Sequence, residues 1–311
     1  MSLFRDSSKE SSDLIELKKL GGGTFGVVYL HTGLPGVLKK CRTIDGCESL
    51  RNEYSQLQSI HQALSASGSA IIAPTPLEFY TSIDSDFWED ISASLPTNDS
   101  SWTCVYGMSR VYPLPSALRK KIIDLFCPAY LRNNPSITAR KPHLARILLG
   151  RPMSDPGRVA PQQFFDTYNF PLTRDRAELL GINVVNTAVE MGCLLAQMHM
   201  KAKNDARDIK IVLGANVTND SARYREPRIW VIDFNQVARF DRTERQIPRL
   251  VEAFFANEAY FPRPRPDDEL YQLFSQAYIA ECEKIDNVAV MIGRMFIEAL
   301  EREQLAKDQG K

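Results

Sequence analysis

Residues 21–40, GGGTFGVVYLHTGLPGVLKK, combine a cluster of glycines with strand-forming residues. Alternating and β-branched side chains on both sides of a turn at 33–36 predict two antiparallel strands joined as a hairpin. The apolar residues 14–20 predict another strand ahead of it. Glycine has no side chain, so backbone N–H groups at the glycines can approach a bound phosphate closely. The glycines concerned are Gly21, Gly23 and Gly26.

This hairpin resembles the glycine-rich loop of protein kinases, because it fits the pattern G-x-G-x-F-G-x-V. Lys39 ends the next strand as the kinase lysine does, and residues 49–60 predict a helix that carries Glu53. A Lys39–Glu53 ion pair would correspond to the pair that orients nucleotide phosphates in kinases. Taken alone, each charge is equally well explained as a solvated surface residue. Their order after the glycines favours a shared site.

The following segments predict where this β-rich part ends. Residues 102–112 are typical of a central strand, and Pro-Leu-Pro at 113–115 ends it, because proline removes a backbone donor. Residues 116–126 then predict a helix. Residues 183–199 predict an amphipathic helix, since apolar side chains recur there at helical spacing.

Together these elements predict an α+β fold with two lobes, of the protein-kinase type. We expect a flexible tail at 1–13, a small β-rich N-lobe over 14–112 and a mainly helical C-lobe over 113–311. Residues 81–101 mix acidic, serine, asparagine and proline residues. That composition predicts a long disordered loop, because it buries little apolar surface.

Composition and charge narrow the class of protein. The 311 residues include 38 basic and 38 acidic side chains, and 44% are apolar, as in a globular protein with a full core. No apolar run reaches the roughly 20 residues that cross a bilayer, and no signal peptide is evident. We therefore expect a cytoplasmic protein that does not bind a membrane.

The six cysteines lack a Cys-x-x-Cys pair, and the four histidines do not cluster with them. Zinc sites usually show such spacing, so the sequence predicts no metal site. Free cysteines commonly act as small buried apolar residues in a reducing compartment, and we expect these six to do so.

Positive charge is concentrated between residues 118 and 158, which contain nine basic residues and two acidic ones. We call this segment the basic block. Such a segment attracts nucleic-acid phosphates by releasing their counterions. The alternative is a solvated helical face without a partner.

Aspartates in two later segments match positions of a kinase site. Asp205 and Asp208 follow the 183–199 helix, and Asp233 follows the apolar strand IWVI. In kinases such aspartates accept the substrate proton and hold magnesium. However, His-Arg-Asp is absent, no asparagine lies five residues after Asp208, and Asn235 replaces the expected glycine. Losing a metal ligand weakens the case for phosphoryl transfer, and Asp205 is alternatively a turn cap.

Five ordered blocks resemble a fungal family of kinase-like proteins that includes the arginine-containing cyclodipeptide synthases. They are GMSRVYPLP (107–115), YNFPLTRDRAELLGI (168–182), MHMKAKNDARDIKIVLG (198–214), WVIDFNQ (230–236) and AYFPRP (259–264). The resemblance implies an enzyme that joins arginine and a second amino acid, both delivered on transfer RNA, into a diketopiperazine of fungal secondary metabolism. It implies no cofactor and no metal, because an aminoacyl ester is already activated. Lys210 stands where relatives carry an acidic residue.

The resemblance also implies roles for individual residues. Asp205, Asp208 and Asp233 would recognise the arginyl guanidinium and deprotonate an α-amine, because carboxylates suit both tasks. The substrate-binding residues would be Gly21, Gly23, Gly26, Lys39, Glu53 and Asn235. The transfer-RNA contacts would be Arg119, Lys120, Lys121, Arg140, Lys141 and Arg146. The expected partners are aminoacyl-tRNAs, without DNA.

Two alternatives from other classes stay open. A phosphotransferase would retain nucleotide through Lys39, Glu53 and Asp233, whereas a non-catalytic pseudokinase would explain the missing motifs. A fold does not determine a function, so the residues alone do not decide among the three. The identity of the second amino acid also stays open.

Overall fold

The computed structural model describes residues 17–23, 26–31, 36–96, 99–132, 144–151, 165, 169–217, 225–257 and 259–310. Over these residues the fold contains two five-stranded sheets and nine α-helices, so the predicted α+β class is confirmed. The predicted tail and most of the predicted turn at 33–36 lie outside them. Within the same residues, no helix combines the length and the apolar character needed to cross a membrane.

The elements follow one another in this order along the chain. The strands are β1 (Leu17–Gly22), β2 (Val27–His31), β3 (Gly36–Lys40), β4 (Ile71–Ile72), β5 (Pro76–Tyr80), β6 (Val105–Ser109), β7 (Ala145–Leu148), β8 (Phe170–Thr173), β9 (Lys210–Val217) and β10 (Arg225–Ile232). The helices are α1 (Cys47–Ser67), α2 (Ser85–Ser92), α3 (Ser116–Phe126), α4 (Ala129–Arg132), α5 (Arg174–Leu180), α6 (Val184–Ala196), α7 (Ile247–Ala256), α8 (Glu269–Glu283) and α9 (Asn287–Asp308).

The chain divides into two compact units. The first unit comprises Met1–His61 and Pro74–Arg110, and the second comprises Gln62–Ala73 and Val111–Lys311. An antiparallel sheet of order β1-β2-β3-β6-β5 lies in the first unit. A mixed sheet of order β4-β10-β9-β7-β8 lies in the second unit. The last part of α1 and all of β4 therefore belong to the second unit.

Helix α2 shows that the prediction of a disordered loop over 81–101 is wrong. Phe87, Trp88 and Ile91 fall on one face of this helix and are buried in the core of the first sheet. Tyr80 stacks on Phe87 with ring centroids 3.8 Å apart. The segment is polar on average, but its few large apolar side chains have helical spacing, which average composition does not reveal.

The second unit contains more sheet than the sequence predicts. Strand β9 runs antiparallel to β10, with Lys210 opposite Ile232 and Val217 opposite Arg225. The sequence correctly predicts a strand before Asp233, but it predicts no element for the residues of the partner strand β9. A mainly helical second part is therefore an incomplete description, because a five-stranded sheet accompanies the helices.

The predicted helix over 183–199 is confirmed as α6, which continues into a π-helical turn, Gln197–Lys201. The Asn183 side chain accepts a hydrogen bond from the backbone of Asn186 at 2.9 Å and caps the N-terminus. Helix α6 packs closely on α8, because Gly192 carries no side chain at their contact. A Cβ atom at Gly192 would lie 2.3 Å from the carbonyl oxygen of Phe274.

Three cysteines that the sequence leaves unpaired come together in the first unit. Cys41 donates its backbone N–H to the carbonyl of Cys104 at 3.0 Å, so the two residues face each other across β3 and β6. Cys47 begins α1 and forms a disulfide with Cys104. The three sulfur atoms lie within 4.8 Å of one another. The prediction of six isolated thiols is therefore wrong, because strand pairing joins residues that are distant in sequence.

We expect Gly192→Ala to lower the free energy of unfolding by about 1–3 kcal/mol, because the new methyl group would press on a helix backbone that cannot rotate away. This cost exceeds the roughly 1 kcal/mol by which alanine normally improves a helix. Urea denaturation measures the change. Gly21→Ala is the control, because no heavy atom lies within 4 Å of its Cβ position. Equal stability of Gly192→Ala and wild type would contradict the close packing.

Candidate functional site

The backbone of the loop before β9 is unusual. Lys203, Ala206 and Asp208 have φ angles of 56°, 53° and 56°, and Asp233, just after β10, has 70°. Residues other than glycine rarely adopt positive φ angles. Each residue held there costs about 1–3 kcal/mol of stability, so the conformation persists only where surrounding contacts support it. Such strain concentrates at functional sites. Because Lys210 pairs with Ile232, both strained segments lie at the same end of the β9–β10 pair.

Asp205 anchors this loop. Its side chain is only 1% exposed, and its carboxylate accepts hydrogen bonds from the backbone N–H groups of Arg207 (3.2 Å) and Ala238 (2.9 Å). The Nε of Arg249 donates to the other oxygen at 3.0 Å. A carboxylate with three donors and almost no access to solvent fixes the loop rather than accepting a proton from a substrate. This geometry agrees with the alternative interpretation of Asp205 as a turn cap rather than with a catalytic role.

Asp208 and Asp233 are accessible, in contrast to Asp205. The ammonium of Lys210 pairs with Asp233, and their side chains are 25% and 26% exposed. Gln236 donates its amide to the carboxylate of Asp208 at 2.6 Å. Each carboxylate is therefore held by one neighbouring side chain while remaining partly exposed to solvent.

Asn235 adds an oxygen acceptor to this group. Its Oδ1 atom is buried and has no hydrogen-bond partner among the described residues. A buried acceptor without a donor costs about 1–3 kcal/mol, which a ligand that donates a hydrogen bond would offset. The sequence predicts Asn235 as a substrate-binding residue, and an acceptor that lacks a donor suits that role. We call Asp208, Asp233 and Asn235 the acceptor cluster.

The first unit contains the predicted lysine–glutamate pair. Lys39 on β3 donates to Glu53 on α1 at 2.5 Å, and the hydroxyl of Tyr106 donates to the same carboxylate oxygen at 3.2 Å. Both charged side chains are largely buried, at 12% and 3% exposure. The simpler interpretation of two solvated surface charges is therefore wrong. The neighbouring Lys40 is also buried, and it pairs with Asp99 at 2.8 Å.

The glycines of the first unit differ in what surrounds them. A Cβ atom at Gly26 would lie 2.6 Å from the carbonyl oxygen of Lys40, so glycine is required there for close strand approach. Gly21 and Gly23 have open space at their Cβ positions. The Nε of Arg42 donates a hydrogen bond to the carbonyl of Gly23 at 3.1 Å. The backbone N–H of Gly23 already donates to the carbonyl of Gly26 at 3.0 Å, so the open space at its Cβ position does not free this donor for a ligand. Gly26 itself is needed for packing.

The basic block is neither a uniform patch nor a uniformly solvated face. Lys121 donates to the carbonyl of Leu180 at 2.9 Å, and Arg132 donates to that of Cys127 at 2.9 Å. Lys120 is exposed on α3. The other predicted RNA contacts fall into two groups: Arg119 and Arg146 are partly buried, and Arg140 and Lys141 lie outside the described residues.

His199 lies in the core near this loop, and the sequence offers no signal for its role. Its ring hydrogen-bonds the hydroxyl of Tyr278 at 3.0 Å and packs edge-on against Phe240 and Phe296. Burial lowers the pKa of His199 to about 3, although a hydrogen bond to the backbone of Asp205 partly opposes that shift. His199 is therefore neutral in the folded protein at neutral pH.

His199 predicts an acid-sensitive fold. In the unfolded chain the imidazole binds a proton below its ordinary pKa of 6.5, whereas in the folded protein it does so only near pH 3. Stability is therefore lost as pH falls from about 6.5 towards 3, by at most roughly 1.4 kcal/mol per pH unit. Urea denaturation of His199→Gln should show a weaker pH dependence over this window. His61→Gln is the control, and equal slopes for His199→Gln and wild type would contradict the assignment.

Comparison with known proteins adds one family match. The family model DUF3669, described as a zinc finger protein, matches residues 229–289. No curated protein matches the chain. The matched span contains one cysteine, Cys282, and no histidine, whereas a zinc finger needs four nitrogen or sulfur ligands. Cys282 is fully buried, and burial together with Glu281 raises the pKa of its thiol to about 12. The residues of this span do not fit a zinc site.

Proposed function

We propose that this chain is a cyclodipeptide synthase with a kinase-like fold, which joins arginine and a second amino acid from aminoacyl-tRNAs into a diketopiperazine. The acceptor cluster carries the proposal, because it offers oxygen atoms from three side chains within two adjoining segments. A guanidinium presents a planar fork of N–H donors, and carboxylates meet that fork with paired hydrogen bonds. The reaction belongs in the cytoplasm of a fungus, where aminoacyl-tRNAs are available.

The Lys210–Asp233 pair argues against ordinary phosphoryl transfer. In kinases an asparagine five residues after the catalytic aspartate and the Asp-Phe-Gly aspartate together hold magnesium. Lys210 lies five residues after Asp205, and its ammonium contacts Asp233. A lysine donates hydrogen bonds and cannot bind a metal through its charged form. Lys210 thus supplies beside Asp233 the positive charge that a divalent cation supplies in kinases.

The proposed chemistry uses two acyl transfers. The α-amine of one aminoacyl group attacks the ester carbon of the other, a C–N bond forms, and the ribose hydroxyl of one tRNA leaves. The second free amine then attacks the remaining ester, which closes the six-membered ring and releases the second tRNA. Each step needs a base for the amine proton and donors for the oxyanion.

The residues divide between these tasks according to their surroundings. Asp208 or Asp233 takes the amine proton, because both carboxylates reach solvent, and the acceptor cluster binds the guanidinium. Asp205 positions the loop through its three donors. In the first unit, the backbone of the glycine hairpin around Gly21 and Gly23 would contact the acceptor end of the tRNA or the oxyanion, and Lys39, oriented by Glu53, would contribute a positive charge.

The Lys39–Glu53 pair also favours a second candidate function. The same pair orients nucleotide phosphates in kinases, so a phosphotransferase would use it together with Asp233. Thermal unfolding with ATP separates the two: a phosphotransferase is stabilised by ATP in the presence of Mg²⁺ and less in its absence. A pseudokinase scaffold would yield neither product nor phosphoryl transfer.

We expect expression of the chain in a microbial host to produce a cyclic dipeptide that contains arginine, detected by mass spectrometry. Asp233→Asn should reduce the product by roughly 100-fold or more, because it removes the charge that meets the guanidinium. Asp205→Asn should instead lower the free energy of unfolding by about 1.5–3 kcal/mol, since it weakens a buried, charge-assisted network. Asp241→Asn, an exposed aspartate farther along the chain, is the matched control.

The outcomes of this experiment are distinct. A cyclo-arginine product that persists in a folded Asp233→Asn variant would remove Asp233 from the site. The absence of any cyclic dipeptide from well-folded wild-type protein, with arginyl-tRNA present, would reject the synthase and favour the nucleotide-binding alternative.

The basic block supplies a separate prediction about RNA. We expect Lys120→Glu to weaken binding of labelled transfer RNA at low salt and to reduce the slope of log affinity against log salt by about 0.9, the value for one lost phosphate contact. Fluorescence anisotropy over a salt series measures both. Lys19→Glu, an exposed lysine on β1, has the same charge change outside the block. Identical salt slopes for Lys120→Glu and wild type would make α3 a solvated face.

A further inference from the structure

A cavity of about 680 Å³ lies within the second unit. Its walls come from the turn after β7, the segment 259–265, the end of α7 and the last turns of α9. The segment includes the block AYFPRP, for which the proposed chemistry has no use. The volume is within the range of small-ligand sites. We call this cavity the arginine pocket.

Backbone contacts fix one wall of the arginine pocket. Leu149 and Gly150 donate their N–H groups to the carbonyls of Tyr260 and Ala259 at 3.0 Å and 2.9 Å. A Cβ atom at Gly150 would lie 2.2 Å from the carbonyl oxygen of Phe261. The segment thus lies directly against the turn after β7. This contact positions the backbone that leads to Arg263 and Arg265.

Five of the twelve residues that line the pocket are cationic, and one is acidic. Its basic residues are Arg151, Arg174, Arg263, Arg265 and Lys307, and its acidic residue is Asp268. Several cations already have partners. Arg265 forms two hydrogen bonds to Asp308, at 2.9 Å and 2.8 Å, and Lys307 pairs with Glu303 at 2.9 Å. Arg174 lies 3.8 Å from Asp268.

Arg263 differs from these neighbours. It is partly buried and forms no ion pair or hydrogen bond through its side chain with the described residues. Burial, followed by repulsion from Arg265, lowers the pKa of Arg263, so the pocket disfavours its positive charge. A partly buried cation without a counter-charge costs free energy, which an anionic ligand would recover.

We propose that the arginine pocket binds a phosphate group and that the Arg263 guanidinium is its main contact. A planar guanidinium matches two phosphate oxygens at once, and it is the preferred side chain for that task. Arg151 belongs to the basic block, so the pocket shares one cation with the segment that the sequence predicts to contact RNA. That shared residue favours a phosphodiester of an RNA backbone over a free phosphate. The identity of the RNA as a transfer RNA rests on the proposed function.

Binding is tested with two probes on the full chain: fluorescein-labelled, unacylated transfer RNA and inorganic phosphate. Arg263→Gln should weaken RNA binding at low salt by roughly tenfold, as expected for a lost charge-assisted contact. The salt slope should fall by about 0.9. Arg263→Lys should have an intermediate affinity, because lysine keeps the charge but loses the fork. Arg294→Gln, an exposed arginine of α9 outside the pocket, should bind as wild type does.

Each result has a defined meaning. If Arg263→Gln weakens both RNA and phosphate binding, or RNA binding alone, the pocket is a phosphate site for RNA. If it weakens only phosphate binding, the site takes a free phosphate, and the RNA assignment is overturned. If folded Arg263→Gln binds both probes as wild type does, the proposal fails.

These binding measurements do not depend on product formation. Wild-type protein that makes no cyclic dipeptide, but binds RNA through Arg263, would reject the synthase and keep the pocket. The reverse result, cyclic dipeptide from a wild-type protein whose RNA affinity is unchanged by Arg263→Gln, would reject the pocket alone.

Discussion

The buried carboxylate of Asp205 supports the local structure on which the candidate site depends. Its two backbone bonds, to Arg207 and Ala238, join the loop before β9 to the segment after β10. Those segments contain the residues with left-handed backbone, which need surrounding contacts to persist. Helix α6 and its π-helical turn bring the neutral His199 near the same loop from the core. The buried carboxylate of Asp205, with its three donors, therefore fixes the two segments that carry the partly exposed Asp208 and Asp233.

Much of the fold could be predicted from local patterns, and the errors have physical causes. Residues 116–126 carry a clear start signal after two prolines, and the structure forms a helix over the same residues. Helix α2 is missed, because Phe87 and Trp88 stand in a polar context whose average hides their spacing. Strand β9 is missed, because a strand is stabilised by its partner, and that partner lies farther along the chain. Pairing of β3 with β6 brings Cys104 beside Cys41, six residues before Cys47, with which Cys104 forms its disulfide.

The candidate site divides in the same way. Lys39 and Glu53 could be predicted as a pair, since the order of glycines, lysine and helix is visible in the sequence, and the pair is present. The different roles of Asp205 and Asp208 could not, because they depend on which carboxylate is buried. Arg263 also gives no local signal. Its neighbours Arg265 and Lys307 pair with acidic side chains, whereas Arg263 forms no ion pair with a described residue.

Because three sulfur atoms cluster in the first unit, the covalent structure of this protein depends on the redox conditions around it. Cys41 lies 3.7 Å from Cys47, so the first unit contains a thiol beside a disulfide. A reductant such as glutathione opens a disulfide by thiol exchange, so the thiol buffer decides whether Cys47 and Cys104 are joined. Cys47 begins the helix that carries Glu53. Preparations that differ only in their thiol buffer therefore differ in whether Cys47, at the start of that helix, is bonded to Cys104.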